Sequence, residues 1–565
     1  MKKLAILLAL LMVVAAIAPA AAMAPEAGKT AYVVIMAADP VVAYEGGVDG
    51  LQATKPAKGE KINPNSALVK KYEKFLEKEH HKVLAAVGAS PSVTTHDYTI
   101  ALNGFAAQLT EVQAAEIAKQ PGVAMVLKDE MRYKTTDNSP TFLGLTAPGG
   151  AWLKGYDGEG VVVGIIDTGI WPEHPSFADD GSYAPLPEYA GLPCEFGNTA
   201  ANPNDAPFTC NNKLLGAYQM LDTYRTYSGA DPDEFDSARD DDGHGSHTAS
   251  TAAGNAGVEA SISGVPFGTV SGIAPRARII AYKALGNLGG YTSDLAAAID
   301  QAVADGVDVI NYSIGGGAGA VSADELAFLF AADAGVFVAT SAGNSGPGAY
   351  TVGDPGTKPW LTTVGASTQN RTFQGSVELG NGAVYYGASI TAGTEMAPLV
   401  DSAALGNELC NPYQVPIFSE DVTGKIVLCR RGTWARVEKS YAVYLSGGAG
   451  MILYNTSDSQ DLNTDTHWLP TLHTNYTDGM AIKAYAAAAD PMAKINGGVF
   501  TEIEAPWMAS FSSRGPNLVA PDLIKPDITA PGVNILAAAS PFPDPGFVPG
   551  ELFQSIGGTS MSSPH

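Results

Sequence analysis

Charge is scarce in these 565 residues: only 16 % are Asp, Glu, Lys or Arg, and 58 acids stand against 33 bases, a net charge of −25. That balance argues against nucleic acid or an anionic membrane as the partner. Its plain consequence is solubility. Cysteine is scarcer still, at four. No Cys-x-x-Cys spacing is present, so a structural zinc site is disfavoured. The four fall into two local sets, Cys194 with Cys210 and Cys410 with Cys429. Two short-range disulfides are the expected outcome in an exported chain, and pairing neighbours is the simplest connectivity, although sequence alone does not fix it. Long apolar runs are missing beyond the N-terminus, so no membrane-spanning helix is expected. Repeats and low-complexity tracts are missing too.

What is present begins with Lys2-Lys3, an apolar run from Leu4 to Ile17, Pro19, and the small residues Ala20 to Ala24. Residues 1–24 read as a secretory signal with an Ala-x-Ala exit, too short and too early for a membrane anchor. The remaining length exceeds one ordinary core and implies roughly two to four domains. With 45 % hydrophobic residues and 63 glycines, the composition suits a compact, loop-rich α/β protein.

Residues 25–136 read as a small α+β unit. Ala31–Met36 is a short strand. Ser66 caps a helix whose apolar positions Leu68, Tyr72, Phe75, Leu76, Val83 and Val87 share a face, with Gly88 as its stop. Tyr98–Leu102 reads as a second strand. Thr110 and Gln113 form a capping box for a second helix that Pro121-Gly122 ends, and Val123–Leu127 follows as a strand. From 137 onward apolar strands alternate with helices. Val161–Ile166, Arg278–Tyr282, Val307–Asn311 and Val336–Thr340 are continuous apolar runs, with helical stretches Ser293–Ala304 and Ala323–Ala334 between them. That pattern specifies βαβ units and a parallel sheet covered on both faces. It breaks near Asn370 and resumes near Pro506. Residues 371–505 therefore read as an inserted, mostly β domain, interrupting an α/β domain of 137–370 and 506–565. Within it lie the strands Lys425–Leu428 and Met451–Tyr454, a helix from Arg436 to Leu445, and the second cysteine pair.

Three Gly-rich frames carry chemically competent residues: Ile166-Asp167-Thr168-Gly169, Asp242-Gly243-His244-Gly245-Ser246-His247-Thr248, and Gly558-Thr559-Ser560-Met561-Ser562-Ser563-Pro564-His565. Each has a bland alternative. Asp167 can cap its own turn, and Asp-Thr-Gly also occurs in aspartic proteases, which carry it twice; here it stands once. His244 and His247 could share a metal, but the Glu of a His-Glu-x-x-His motif is absent. Ser560 is one of four serines within nine residues. Asn344, in Ser341-Ala342-Gly343-Asn344-Ser345-Gly346, could be a plain turn residue before Pro347.

Taken together, and with Ile170-Trp171-Pro172-Glu173-His174-Pro175-Ser176-Phe177 extending the first, these frames resemble the subtilisin-like serine proteases. Ser246 stands where that family more often has Thr. The resemblance implies an Asp-His-Ser triad in that chain order. Ser560 would be the nucleophile, His244 its base and Asp167 the orienting acid, while Asn344 and the Ser560 N–H would form the oxyanion hole; His247 would be structural. Gly289-Gly290-Tyr291 and Ser313-Ile314-Gly315 resemble the two edge segments that pair with substrate backbone. Ser341, Ala342, Gly343 and Gly353 would line a roomy, apolar pocket for the residue before the cut bond.

The unit 25–136 resembles the inhibitory prodomain of that family. Thr135-Thr136, ahead of Ser139-Pro140-Thr141-Phe142-Leu143-Gly144-Leu145, resembles the maturation boundary of its plant, cucumisin-type branch. The insertion resembles a protease-associated domain, at Gly424-Lys425-Ile426-Val427-Leu428-Cys429-Arg430-Arg431-Gly432 and Gly447-Gly448-Ala449-Gly450. The implied protein is a secreted endopeptidase precursor, with peptide substrates and its own prodomain as partners. No cofactor is implied; a calcium requirement is left open. The rival class is a catalytically inactive fragment that binds peptides through its prodomain and insertion. It draws on the five residues that follow Ser560, where the family has a long buried helix; without that helix the 565-residue chain, expressed alone, is expected to be inactive.

Overall fold

Val162–Asp167 is buried at every position, as an apolar run without polar alternation requires, and the largest sheet is built outward from it. In the computed structural model that sheet has seven parallel strands in the order Ile528–Pro531, Thr362–Ser367, Phe337–Ser341, Val309–Tyr312, Val162–Asp167, Arg278–Lys283 and Leu214–Gln219. Val163 stands between Ile279 on one side and Val309 on the other. The structure describes residues 29–565 apart from 58–59, 130, 135–139, 230, 232, 320 and 544–547, and for 131–134 the backbone alone. The expected signal over 1–24 and the boundary at Thr135-Thr136 lie outside the described residues.

Helices cover both faces. Leu295, Ile299 and Val303 of Thr292–Asp305, with Ala327 and Phe328 of Ala323–Asp333, pack on Val162, Ile166, Ile280 and Ile310. On the opposite face Ala249, Ala252 and Ala253 of the helix His244–Ala253 meet Val163, Ile165 and Ile279. Alanine dominates there, which lets that helix lie close to the strands. Three strands of this sheet, Leu214–Gln219, Thr362–Ser367 and Ile528–Pro531, have no counterpart in the sequence reading, because Gly216, Gly365 and interleaved threonines break their apolar runs.

The N-terminal unit is a four-stranded antiparallel sheet, ordered Thr94–Tyr98, Gly104–Thr110, Lys29–Met36 and Val123–Lys128, with helices Ala67–Ala86 and Glu111–Ile117. Ser66 and the Thr110–Gln113 box cap those helices as their sequences specify. Two details differ from expectation. Tyr72, Leu76 and Val83 point inward as expected, but Leu68 is 45 % exposed and Val69, 2 % exposed, takes its place at the start of that face. Residues 99–102 are a loop, since the N–H groups of Ala101 and Leu102 donate to Asp300 instead of to a strand. That contact is part of a dock onto the helix Thr292–Asp305. Asp129 accepts from Thr292 Oγ1 at 2.5 Å, from the Ser293 N–H at 2.7 Å and from the Ser293 hydroxyl. His96 pairs with Asp294 at 2.6 Å.

Strands between Arg371 and Glu502 close a seven-stranded barrel of their own, flanked by the helices Arg436–Leu445 and Tyr476–Ala486. Both cysteine pairs are bonded, Cys194–Cys210 and Cys410–Cys429, each with Cα atoms 5.8 Å apart. Among the described residues no helix is long and apolar enough to cross a membrane.

Candidate active site

Asp167 is the last residue of the central strand. The strands on its two sides are reached in opposite directions through the sheet, so a crevice opens at their carboxyl ends. The carboxylate is fully buried and fully engaged. Oδ1 accepts from the Thr168 N–H at 2.8 Å and pairs with His244 Nδ1 at 2.6 Å, while Oδ2 accepts from Thr248 Oγ1 at 3.2 Å. Thr248 lies one turn along the helix that His244 begins, which is why both reach the same acid.

Backbone contact between the first two frames holds this geometry. A Cβ on Gly245 would come 2.1 Å from the Gly169 carbonyl, so glycine alone lets the two segments touch. Gly169 itself has φ +111°, a conformation that favours glycine. Asp240 ties the loop ahead of His244. Its Oδ1 accepts from Thr168 Oγ1 and the Gly243 N–H, both at 2.9 Å, and its Oδ2 from the Ser246 N–H and hydroxyl at 2.8 and 2.6 Å. Ser246 Oγ accepts in turn from the Trp171 N–H at 2.8 Å, so Ser in place of Thr keeps the hydroxyl's function. Beside this loop Lys283 Nζ donates to Asp241 at 2.6 Å; burial pushes the Asp241 carboxyl up to about 6 against the pull of that ammonium. His247 is fully buried, faces the Ile535 carbonyl at 3.3 Å, and is held neutral by desolvation.

Ser560 is the second residue of the short helix Thr559–Ser562 and is fully buried. The expected contact between Ser560 and His244 is not made. The Ser560 hydroxyl donates to the Ser313 carbonyl at 2.6 Å, the acceptor its buried position offers, and the Ser313 hydroxyl donates back to the Ser560 carbonyl at 2.9 Å. His244 Nε2 has no hydrogen-bond partner. Asn344 Oδ1 accepts from both the Thr559 N–H, at 2.9 Å, and the Thr559 hydroxyl, at 3.0 Å. A backbone N–H can only donate, so the side-chain atom facing it is the oxygen and the Asn344 NH2 group points away. His244, Asn344, Gly557 and Met561 line one cavity of about 360 Å³.

The two expected edge segments flank a third strand. Gly290–Tyr291 and Ile314–Gly315 both pair antiparallel with Met131–Lys134, which lies between them, with Gly290 opposite Arg132 and Gly315 opposite Tyr133. Gly289 closes the tight turn with Gly286 before the first edge. Ser341, Ala342, Gly343 and Gly353 are drawn together by the Gly353 N–H, which donates to the Ala342 carbonyl at 3.1 Å, and by the Gly316–Asp354 bridge. No group of three or more His, Cys, Asp or Glu side chains suited to a metal occurs among the described residues.

Sequence reasoning missed Thr168, Asp240, Thr248 and Thr559. Thr559 and Thr168 adjoin Ser560 and Asp167, and Thr248 is at helical spacing from His244, so those three were within reach of local reasoning. Asp240 lies outside the three frames: of its five donors, Thr168 Oγ1 comes from a distant segment, and the N–H groups of Asp242, Gly243 and Ser246 with the Ser246 hydroxyl come from the loop that follows it.

Residues 158–565 match the model of the subtilase family, and residues 31–135 match the peptidase inhibitor I9 model. Subtilisin-like protease SBT1.4 of Arabidopsis thaliana is 42 % identical over 509 residues, covering 86 % of this chain and 64 % of its own. Subtilisin-like proteases SBT1.5 and SBT1.6 of the same plant are each 40 % identical, over 85 % and 86 % of this chain and 65 % of their own. The chain thus spans just under two thirds of the length of these relatives.

Proposed function

The chain belongs to the subtilase family, and on that premise we propose that it is the precursor of a secreted serine endopeptidase. Asp167, His244 and Ser560 are its triad, and Asn344 with the Ser560 N–H is its oxyanion hole. The observation that carries this reading is the 2.6 Å Asp167–His244 bond, with the free Nε2 and Asn344 bordering one cavity beside the Ser560 helix. Asp167 fixes Nδ1 as the protonated nitrogen, leaving Nε2 as the base. The Ser560 side chain must turn from the Ser313 carbonyl toward Nε2. It then attacks the peptide carbonyl while Nε2 takes its proton. Asn344 Nδ2 stabilises the oxyanion, a donor worth about 3 kcal/mol of barrier in such sites. His244 returns the proton to the departing amine, and water repeats the sequence on the acyl-enzyme.

The unit before residue 137 acts as an intramolecular inhibitor, a role supported by the I9 match and by Met131–Lys134 lying as an added strand between the two edges. Processing near Thr135 would free that cleft. The barrel over 371–505 is a protease-associated domain inserted in the catalytic one. The decisive experiment treats the full chain with a fluorophosphonate probe and maps the adduct. Labelling at Ser560 that is lost in Ser560→Ala and Asp167→Ala supports the reading; labelling elsewhere, or none, overturns it.

A further inference from the structure

The cavity that His244 and Asn344 border is not walled by the catalytic domain alone. Arg436, Val437, Asp465 and Thr466 of the inserted barrel also line it. The edge segments place this cavity relative to a bound peptide. Met131–Lys134 occupies Gly290–Tyr291 and Ile314–Gly315, and none of those four edge residues lines the cavity. The cavity is therefore a part of the cleft distinct from the positions a strand-like peptide takes on those edges.

Arg436 is held by a two-point ion pair. Its Nε and Nη2 are fixed on the two oxygens of Asp465 at 2.5 and 2.7 Å. Desolvation opposes the guanidinium, but Asp465 more than offsets it, so the charge is retained, and the Asp465 carboxyl is held down to about 2. Nη1 makes no hydrogen bond among the described residues. A guanidinium locked through one edge presents its remaining N–H groups at a fixed angle, which suits recognition of a carboxylate. Arg436 is also the sole cation among the described residues around the cavity. Asp242 and Glu551 also line the cavity, accepting from the His244 N–H and from the Ser263 N–H and hydroxyl, so the place for a substrate carboxylate is directly at Nη1. The chain's own sequence fits this reading, since Asp137 is the single charged residue between Thr135 and Leu153.

We infer that the inserted barrel forms the leaving-group side of the cleft, and that Arg436, held by Asp465, is a specificity-determining residue that receives a substrate carboxylate there. This rests on the endopeptidase reading above. The test uses the full chain after processing and internally quenched peptides that differ only by Asp or Asn at each of the first few positions after the cut bond. The measured quantity is the ratio of kcat/KM for the two peptides within one enzyme preparation, which cancels the folded fraction. The wild type is expected to favour Asp at one position by about tenfold, the scale of one charge-assisted hydrogen bond. In Arg436→Gln the ratio falls to about one. The pair Arg436→Gln with Asp465→Asn removes both charges together, and so avoids a lone buried acid; it should give the same ratio. A wild-type ratio near one at every position, a preference for Lys there, or variants that keep the Asp preference would overturn the inference. Absence of Ser560 labelling in the wild type would instead overturn the endopeptidase reading, and this inference with it.

Discussion

Replacing Thr559 by Val tests whether the oxyanion hole is built as its hydrogen bonds indicate. Val keeps the volume and β-branching of Thr and removes one hydroxyl. That hydroxyl donates to Asn344 Oδ1 and accepts from the Gly343 N–H, both at 3.0 Å. The backbone N–H of Thr559 still donates to Asn344 at 2.9 Å, so the amide keeps one of its two anchors. Losing one neutral hydrogen bond and leaving the Gly343 N–H without its acceptor costs about 1–2 kcal/mol of positioning, or roughly 5- to 30-fold in kcat. KM should change little, because the oxyanion exists only in the transition state. Asn344→Ala removes the donor itself and should lower kcat about 10²- to 10³-fold. Thr559 acts through Asn344, so Thr559→Val should add almost nothing in the Asn344→Ala background. Initial rates on a short chromogenic peptide, with melting curves to confirm folding, complete the double-mutant cycle. Full additivity, or an effect confined to KM, would refute the proposed amide orientation.

Four further outcomes are expected. Asp167→Asn should lower kcat by about four orders of magnitude near neutral pH, since an amide no longer fixes Nδ1–H of His244; a loss under tenfold in steady-state assays would contradict the triad. Gly245→Ala should abolish fluorophosphonate labelling at Ser560, because its Cβ would collide with the Gly169 carbonyl and displace His244; labelling at the wild-type rate would show that the two frames can separate without cost. Serine at both Cys410 and Cys429 should destabilise the barrel by about 3 kcal/mol, the entropy of closing a loop of that length, read as a lower melting temperature.

The dock between prodomain and catalytic domain should weaken as pH rises. Burial pushes Asp129 and Asp300 up to about 7. For His96 burial acts downward, but Asp294 outweighs it and raises the imidazole. All three groups bind more protons docked than free, so the docked state is favoured in acid and loses that advantage as pH climbs through about 7. Release of the cleaved prodomain, followed by gel filtration, should be faster at alkaline than at acidic pH, and the reverse order would refute the assignment.

The sequence alone determined the parallel-sheet architecture and the candidate chemical residues. Val161–Ile166 has no polar position, so it must be buried on both faces, and a polar residue ending such a run must lie at a crevice. The glycine frames were legible because backbone contact tolerates no side chain, a restriction visible in composition. The cap at Thr110–Gln113 was legible because it acts over three residues. Features assembled from distant segments were not. Asp240 ties the loop that follows it to Thr168, 72 residues away; the strands Leu214–Gln219 and Ile528–Pro531 join the sheet through pairing with their neighbours, the second with Ile528 and Thr529 exposed. Residues 99–102 have a strand-like pattern, yet Asp300 captured their N–H groups from another domain. The direction of the Ser560 hydroxyl was likewise a tertiary outcome, because a rotor with acceptors on two sides is settled by which one the packing brings nearer. The shared wall at Arg436 follows the same rule: no local pattern relates residue 436 to residue 244, and only the seating of the barrel against the sheet brings them to one cavity.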